Sequence, residues 1–314
     1  MIIISTRRCE ICPIKCKNVS VCMGFDSHTW SRVYRNYKIT NSTPERIGFY
    51  HYCPASPIAL VVTSGCNLFC SFCPEFRIVY SPWVIKEANK YTLMTEILNF
   101  VENHGVHAVA LYCNSALDLE LISDLKRFSN IIAVTNGFIS KDSLVSYISN
   151  LDAILLRLIG FSESSYARMT PFPDAYSYAR ELIIEANFRG KLLEVEFYII
   201  PGVTSENEFV NFLRFIGLVN KNIPLHIKRF RRGFVELERR PTRTEDIVRY
   251  YNIAKQFLNY VYADIWISPY CDTFCPNGHL QIKRFGWKVR KINLKGDACS
   301  VCGERIPIKI TKRL

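Results

Sequence analysis

Three cysteines lie close together in one loop of this chain, in the stretch SGCNLFCSFC at positions 64–73. They are Cys66, Cys70 and Cys73, and the aromatic Phe72 precedes the last of them. A closed structural zinc site uses four protein ligands, usually arranged as two short pairs. Three thiolates can instead hold three corners of a 4Fe–4S cluster, which leaves the fourth iron open to a substrate atom. The spacing therefore favours an iron–sulfur cluster with one open iron.

The remaining cysteines support metal binding. The chain has 13 cysteines, an odd number, and most of them fall in clusters. Together with the lack of an export signal, this count argues against a disulfide framework. Only Cys53 and Cys113 stand apart from the clusters. We interpret both as buried apolar residues; in the alternative, one of them completes a zinc site at the three-cysteine loop.

The three-cysteine loop directly follows a β-branched segment, 57–63, which we predict to be a strand. Further predicted strands are 107–113, 130–135, 152–159, 192–200 and 224–230. Helical segments alternate with them, at 85–104, 117–128, 141–149, 174–189, 205–220 and 243–260. This alternation predicts a parallel sheet covered by helices. Doubly wound sheets and β/α barrels share the pattern, and both place ligands at the carboxyl ends of the strands, where this loop lies.

The charge balance suggests an anionic partner. The 314 residues carry a formal net charge of +12, with basic runs at 228–233, 239–243 and 288–291. Such a balance favours nucleic acid, phosphorylated substrates or acidic proteins, although a solvated basic surface produces it equally well. No apolar run approaches the roughly 18 residues of a membrane span, and the N-terminus lacks the order of a secretory signal. We therefore predict a cytoplasmic protein that does not contact a membrane.

The cysteine spacing, the preceding strand and Phe72 resemble the radical S-adenosylmethionine (radical SAM) superfamily. Further blocks are similar, in the same order, to the AmmeMemoRadiSam-system radical SAM enzymes, relatives of the glycyl-radical-enzyme activases. These blocks include RCEICPIKCKN at 8–18, FYHYCPASP at 49–57, VTNGFIS at 134–140, LDAILLRLIGF at 151–161, EVEFYIIPGVTSENE at 194–208 and CSVCGERIP at 299–307. The resemblance implies an α/β fold with three parts. They are a cysteine-rich metal-binding segment over 1–56, a partial (β/α)6 barrel over 57–267 and a zinc-ribbon-like hairpin over 268–314.

The resemblance also implies an activity. The open iron would bind the amino and carboxylate groups of S-adenosylmethionine (SAM), and an electron from a reductant such as ferredoxin or flavodoxin would break its C5′–S bond. The resulting radical would abstract a hydrogen from an unidentified substrate, which is a protein, RNA or a small molecule. Two other classes of protein remain open. One is an iron–sulfur electron-transfer protein on a diverged radical SAM scaffold, and the other is a nucleic-acid-binding zinc protein.

Several expected cofactor contacts depart from the family pattern. The family's glutamate near the SAM amino group corresponds to Ser115, which follows Asn114, and an acid and a lysine of its fourth strand correspond to Arg157 and Ile159. Arg157 would pair with the SAM carboxylate or form a structural ion pair. The other expected cofactor contacts, each with turn formation as its alternative role, are Asn136, Pro201 and Gly202.

Both ends of the chain carry further candidate ligands. Near the N-terminus, four thiols within 14 residues could close a zinc site or hold a second iron–sulfur cluster. They are Cys9, Cys12, Cys16 and Cys22.

Near the C-terminus, the family has two cysteine pairs that resemble a zinc ribbon. Cys299 and Cys302 preserve the second pair, whereas only Cys275 remains of the first. Either Cys271 or His279 would supply the missing ligand; a mixed site that joins cysteines of the two termini is a further alternative. We slightly prefer Cys271, because it lies beside Cys275 and keeps the site all-sulfur. The intervening segment alternates and turns at Phe285-Gly286, which predicts a ribbon hairpin.

Overall fold

The main sheet has eight strands in the described part of the chain. The computed structural model describes residues 9–16, 33–80 and 86–310, and at residues 113–115 it describes the backbone only. From one edge of the sheet to the other, the strands are Val261–Ala263, Leu225–Arg229, Leu192–Ile199, Ala153–Leu158, Asn130–Thr135, Ala108–Cys113, Ile58–Thr63 and Lys38–Ser42. All neighbouring pairs are parallel except the last, which is antiparallel. The six predicted strands and the parallel α/β sheet are confirmed.

The order of the strands distinguishes a barrel from a doubly wound sheet. In a doubly wound sheet the order reverses at a switch point, so helices cover both faces. Here the seven parallel strands follow one another in chain order without a reversal. Successive right-handed crossovers in one direction place the helices on one face and turn the other face inward. The result is the partial barrel that the resemblance implied, with Val261–Ala263 and Lys38–Ser42 as its edge strands.

Both edge strands escaped the sequence prediction, for different reasons. Val261–Ala263 has only three residues and directly follows a helical segment, so it is too short to show the alternation of apolar and polar residues that predicts a strand. Lys38–Ser42 is polar and largely exposed, and it is held by its antiparallel pairing with Ile58–Thr63 rather than by apolar burial. The pairing brings part of the segment 1–56 into the main sheet. The three-part division of the chain stays a prediction.

Helices of eight or more residues cover the outer face of the sheet. In the described part they are Lys90–His104, Leu119–Lys126, Lys141–Ser149, Ala175–Phe188, Glu206–Asn220 and Thr244–Ala254. Shorter helices are Pro44–Ile47, whose Ile47 packs with inner-face residues such as Ala110, Phe76–Val79 and Glu163–Ala167, with a 3₁₀ turn at Asn114–Leu117. The cap of the first long helix shows why it has these bounds: the Asn89 side chain accepts a hydrogen bond from the backbone of Thr92, and Gly105 ends the helix in the left-handed conformation. No helix in the described ranges is long and apolar enough to cross a membrane.

The strand Leu192–Ile199 carries carboxylates into the barrel. Its odd-numbered residues, such as Val195 and Phe197, belong to the large core between sheet and helices. Because side chains alternate along a strand, Glu194 and Glu196 must face the interior, and both are fully buried. Elsewhere the inner face is apolar, with small residues at strand positions such as Ala110. The interior of the barrel therefore combines an apolar wall with buried charge.

The C-terminal segment forms a small antiparallel sheet, as predicted for the ribbon. Its strands are Thr273–Phe274, Leu280–Phe285 and Lys288–Ile292. Next to it in the chain, Leu294–Lys295 pairs with Ala298–Cys299. A separate two-stranded sheet, outside the C-terminal segment, pairs Val33–Arg35 with Glu87–Asn89. The hairpin turns between Phe285 and Lys288, where it was expected. Arg284 anchors it to the barrel by donating to the Tyr50 carbonyl at 2.8 Å from a fully buried position.

Candidate functional site

The three-cysteine loop lies at the carboxyl edge of the barrel. It leaves the strand Ile58–Thr63 through Gly65, whose φ of +90° suits glycine, and the Gly65 amide donates to the Val79 carbonyl at 3.0 Å. The Cys66, Cys70 and Cys73 side chains line a cavity of about 100 Å³. Side chains at the carboxyl ends of the neighbouring strands line the rest, among them Tyr112, Asn136, Arg157 and Tyr198. Elements far apart in sequence thus converge on the thiols.

The geometry of the three thiols suits a cluster better than a single ion. In the described part of the chain, they are not among the groups of ligand atoms that lie within 4.8 Å of one another. Each thiolate of a cluster binds a different iron, so a wider separation is expected there. Burial, and then the neighbouring thiols, raise the pKa of Cys70 well above its usual value, and burial and Cys66 raise the pKa of Cys73 to about 12. Both thiols therefore need a bound metal to lose their protons at neutral pH.

Cys53 cannot complete this site. It is buried in the inner apolar cluster with Ile58 and Ala153, the first residues of their strands, and so lies at the amino edge of the barrel. The strand Ile58–Thr63 separates it from the loop, and six residues of strand span roughly 20 Å. The backbone of Cys113 lies at the carboxyl edge beside Thr63. Its side chain lies outside the described part.

Asn136 connects the third parallel strand to the loop. Its side-chain amide donates to Asn67 Oδ1 at 2.9 Å and approaches the Cys66 sulfur at 3.5 Å. Its oxygen accepts from the Phe138 amide at 2.9 Å, which is the turn contact that the sequence left open. Asn67, which sequence reasoning missed, is fully buried and donates to the Phe138 carbonyl at 2.8 Å. Asn136 therefore lines the site and forms the turn at once.

Arg157 lines the cavity but is committed to protein partners. Its Nε lies 2.9 Å from Glu196 Oε1, and its guanidinium contacts the Tyr112 hydroxyl and lies over that ring, 4.8 Å from the centroid. Burial lowers the pKa of Arg157, but the Glu196 carboxylate raises it, so that it lies well above its usual value. Of the two roles considered from the sequence, the geometry favours the structural ion pair. Glu196 was not recognised in advance, although the Glu-Val-Glu alternation at 194–196 was its visible signal.

The other expected cofactor contacts differ in whether they line the cavity. Phe72 lines the cavity and packs against Tyr198, with ring centroids 5.4 Å apart. Pro201 and Gly202 are not among the residues that line it, and their carbonyls accept from Arg239 and Arg168 in a tight turn. Pro201 and Gly202 therefore have the turn-forming role that the sequence offered as their alternative. Two residues, Asn114 and Ser115, lie on the 3₁₀ turn after the second parallel strand, and their side chains are outside the described part.

The N-terminal cysteines lie against the same edge. Cys9, Cys12 and Cys16 are buried, and the Cys9 amide donates to the Cys16 carbonyl at 3.0 Å. Within residues 9–16 their sulfurs do not form a group close enough to share one ion, and Cys22 lies outside the described residues. The N-terminal metal site therefore stays a prediction.

Four C-terminal side chains converge as metal ligands would. The ligand atoms of Cys275, His279, Cys299 and Cys302 all lie within 4.8 Å of one another. The Cys275 and Cys302 sulfurs are 3.9 Å apart, close to the roughly 3.8 Å edge of a zinc tetrahedron with 2.3 Å Zn–S bonds. Although desolvation raises it, backbone amides of Cys302 and Val301 lower the pKa of Cys299 to about 7. This set suits zinc.

His279 takes the place that we preferred for Cys271, and that preference has to be corrected. A turn between Cys275 and His279, closed by the Cys275 amide donating to the His279 carbonyl at 2.9 Å, brings both side chains together. The strand Thr273–Phe274 separates Cys271 from Cys275, and Cys271 is not among the four converging side chains. Its thiol faces the Arg284 carbonyl at 3.6 Å instead. Our preference relied on proximity in sequence, but a strand separates Cys271 from Cys275 whereas a turn brings His279 next to it.

We expect His279→Ala to lose stoichiometric zinc and Cys271→Ala to retain it. Removal of an outer-shell partner already costs 10–100-fold in metal affinity, so loss of a direct ligand should cost more than about 100-fold. Zinc content of the purified variants, and its release to a chelator, measure the difference. Equal zinc in both variants would contradict the His279 assignment.

Comparison with known proteins gives matches that are distant in sequence. No protein-family model matches the chain, and no curated protein matches it. A solved structure of TYW1 with a lysine-pyruvate adduct bound is 15% identical over 66% of this chain and 76% of that one, with a TM-score of 0.45. Streptococcus suis SuiB bound to S-adenosylmethionine is 15% identical over 69% of this chain and 48% of that one, with a TM-score of 0.46. This chain thus spans about half the length of SuiB.

A third similar structure is a domain of the pyruvate-formate lyase-activating enzyme from Bacteroides vulgatus. It is 14% identical to this chain over 50% of this chain and 98% of that one, with a TM-score of 0.41.

Proposed function

We propose that this protein is a radical SAM enzyme in which Cys66, Cys70 and Cys73 hold a 4Fe–4S cluster. One observation carries the proposal. The three thiols share one loop at the carboxyl edge of a parallel barrel, and they line a cavity without lying close enough to share a single ion. Ligand sites of parallel α/β folds lie at this edge, and a cluster held by three thiolates keeps one iron open.

The residues present fit such a cluster. The donor set is three thiols, and burial favours the neutral form of Cys70 and Cys73, so that metal binding would replace their protons. The Asn136 amide points at the Cys66 sulfur, and hydrogen bonds to sulfur tune the potentials of iron–sulfur clusters. When bound, the cluster and SAM would supply the reductive cleavage that yields a hydrogen-abstracting radical.

The chain itself orients and protects the site. Phe72 and Tyr198 pack edge to face at the cavity wall and exclude water from it. Arg157 acts as a positioning residue, since its bonds to Glu196 and Tyr112 fix the wall formed by the second, fourth and fifth parallel strands. A one-electron reductant such as ferredoxin or flavodoxin and an unidentified substrate complete the reaction. The C-terminal ligand set would hold a structural zinc ion.

Anaerobic reconstitution tests the proposal. The protein is loaded with iron and sulfide, and then mixed with dithionite and SAM. We expect a 4Fe–4S signal and the formation of 5′-deoxyadenosine. A demonstrable cluster without 5′-deoxyadenosine would favour the electron-transfer alternative, and stoichiometric zinc without iron would favour a zinc protein.

A further inference from the structure

A second, larger cavity adjoins the three-cysteine loop. Its volume is about 380 Å³, and Phe72, Cys73, Arg157 and Tyr198 line both cavities. Small-molecule sites usually have volumes of about 300–1,000 Å³. A molecule in this cavity would touch the loop that carries the thiols.

The larger cavity carries an unbalanced positive charge. Among the described residues, six cationic side chains line it, namely Arg46, Arg157, Lys228, Arg229, Arg231 and Arg232. The described lining also includes two carboxylates, Glu196 and Asp264, which leaves these residues a surplus of four positive charges. Glu196 pairs with Arg157 and Lys228 at 2.9 and 3.6 Å, and Asp264 lies 3.6 and 4.0 Å from Arg229 and Arg231. Both carboxylates are therefore already shared.

Two of these arginines have no carboxylate partner among the described residues. Arg46 lies on the short helix Pro44–Ile47, with its guanidinium 5.8 Å from the Trp287 ring centroid. Arg232 follows the strand Leu225–Arg229 and donates to the Arg239 carbonyl at 3.2 Å. Arg46 and Arg232 are far apart in the sequence, yet both line the same cavity. A solvated basic surface would spread such charges apart, whereas concave walls of one sign focus their field on an anion.

We infer that this cavity binds a phosphate-bearing small organic substrate of the proposed radical SAM reaction, on which the inference rests. Guanidinium groups match the oxygens of phosphate and carboxylate in pairs. A phosphate carries nearly two negative charges at neutral pH and so matches the surplus better than one carboxylate does. A volume of about 380 Å³ is that of a small-molecule site, whereas single-stranded RNA follows a charged groove over several nucleotides, so the cavity favours a small molecule over RNA. Anchored by its phosphate, the substrate would extend its remaining atoms towards Cys73.

Calorimetric titration of the metal-loaded protein with ribose 5-phosphate, at low salt and without SAM or reductant, tests this inference. We expect one saturable site. The double variant Arg46→Gln/Arg232→Gln should weaken binding at least about tenfold, because hydrogen bonds to charged groups are lost without breaking an ion pair. Arg214→Gln is the matched control, since this exposed arginine contacts Asn211 on an outer helix; its binding should equal that of the wild type.

Absence of saturable binding, or equal binding by the double variant, would overturn the inference. Tighter binding of glutarate than of ribose 5-phosphate would mean that the ligand carries a carboxylate rather than a phosphate. Binding of a short oligouridylate but not of ribose 5-phosphate would mean that the ligand is RNA rather than a small molecule. Displacement of ribose 5-phosphate by SAM would make this the SAM carboxylate site. Because the titration contains no reductant, its outcome is independent of whether SAM is cleaved.

Discussion

Replacement of any one of Cys66, Cys70 and Cys73 by alanine will reduce 5′-deoxyadenosine formation to background. Each thiolate is expected to bind a different iron, so loss of one leaves the cluster with two anchors from the chain. The variant proteins should also lose iron from this loop, while zinc at the C-terminal ligand set is unchanged. Iron and zinc content and 5′-deoxyadenosine yield, all from anaerobically reconstituted protein, are the measurements.

Cys53→Ala is the matched control for these variants. Cys53 lies at the amino edge of the barrel, buried in the inner apolar cluster, and like the three loop cysteines it forms no disulfide. Its removal should leave both iron content and SAM cleavage at the wild-type level. Turnover that survives in Cys66→Ala, Cys70→Ala or Cys73→Ala would contradict the assigned cluster, and loss of iron in Cys53→Ala would revive a site completed by that residue.

Glu196→Gln should destabilise the protein by about 3 kcal/mol or more. Glutamine preserves the shape of the side chain but leaves Arg157 without its counter-charge, and breaking a buried pair typically costs 3–5 kcal/mol. The space for this side chain is tight, since a Cβ on Gly48 would lie 2.8 Å from Glu196 Oε2. Denaturant unfolding of the metal-loaded protein measures the loss. Glu181→Gln is the control, because its pair with Lys141 is exposed and worth at most about 1 kcal/mol.

The effect of Glu196→Gln should depend on pH in a definite direction. Burial raises the pKa of the Glu196 carboxyl, but Arg157 and then Lys228 lower it, so that it lies below its usual value. The unfolded chain therefore binds this proton more readily than the folded protein. The stability that Glu196 contributes is present above the unfolded carboxyl pKa of about 4.3 and is lost as the pH falls through the folded value. The difference between wild type and Glu196→Gln should shrink over that range. A constant difference would mean that the carboxylate charge is not what stabilises the site.

The predicted strands were recovered because each is a contiguous apolar segment, and their positions agree with the structure to within a few residues. For example, 192–200 was predicted and Leu192–Ile199 is observed. The short edge strand Val261–Ala263 and the polar Lys38–Ser42 were missed, because pairing with neighbours rather than local pattern stabilises them. Because 192–200 was interpreted as an apolar strand, the sequence prediction overlooked Glu194 and Glu196, which are fully buried on the inner face of the sheet.

The sequence by itself determined the alternation of strands and helices, the three-cysteine loop after the first parallel strand and the hairpin near the C-terminus. These features depend on residues that are neighbours along the chain, where periodicity and spacing act directly. Only the tertiary structure decided that the sheet is a partial barrel, that Arg157 pairs with Glu196, and that His279 rather than Cys271 joins the C-terminal ligands. Each of these depends on strand order or on side chains brought together by turns and sheet curvature, and local sequence carries no measure of such distances.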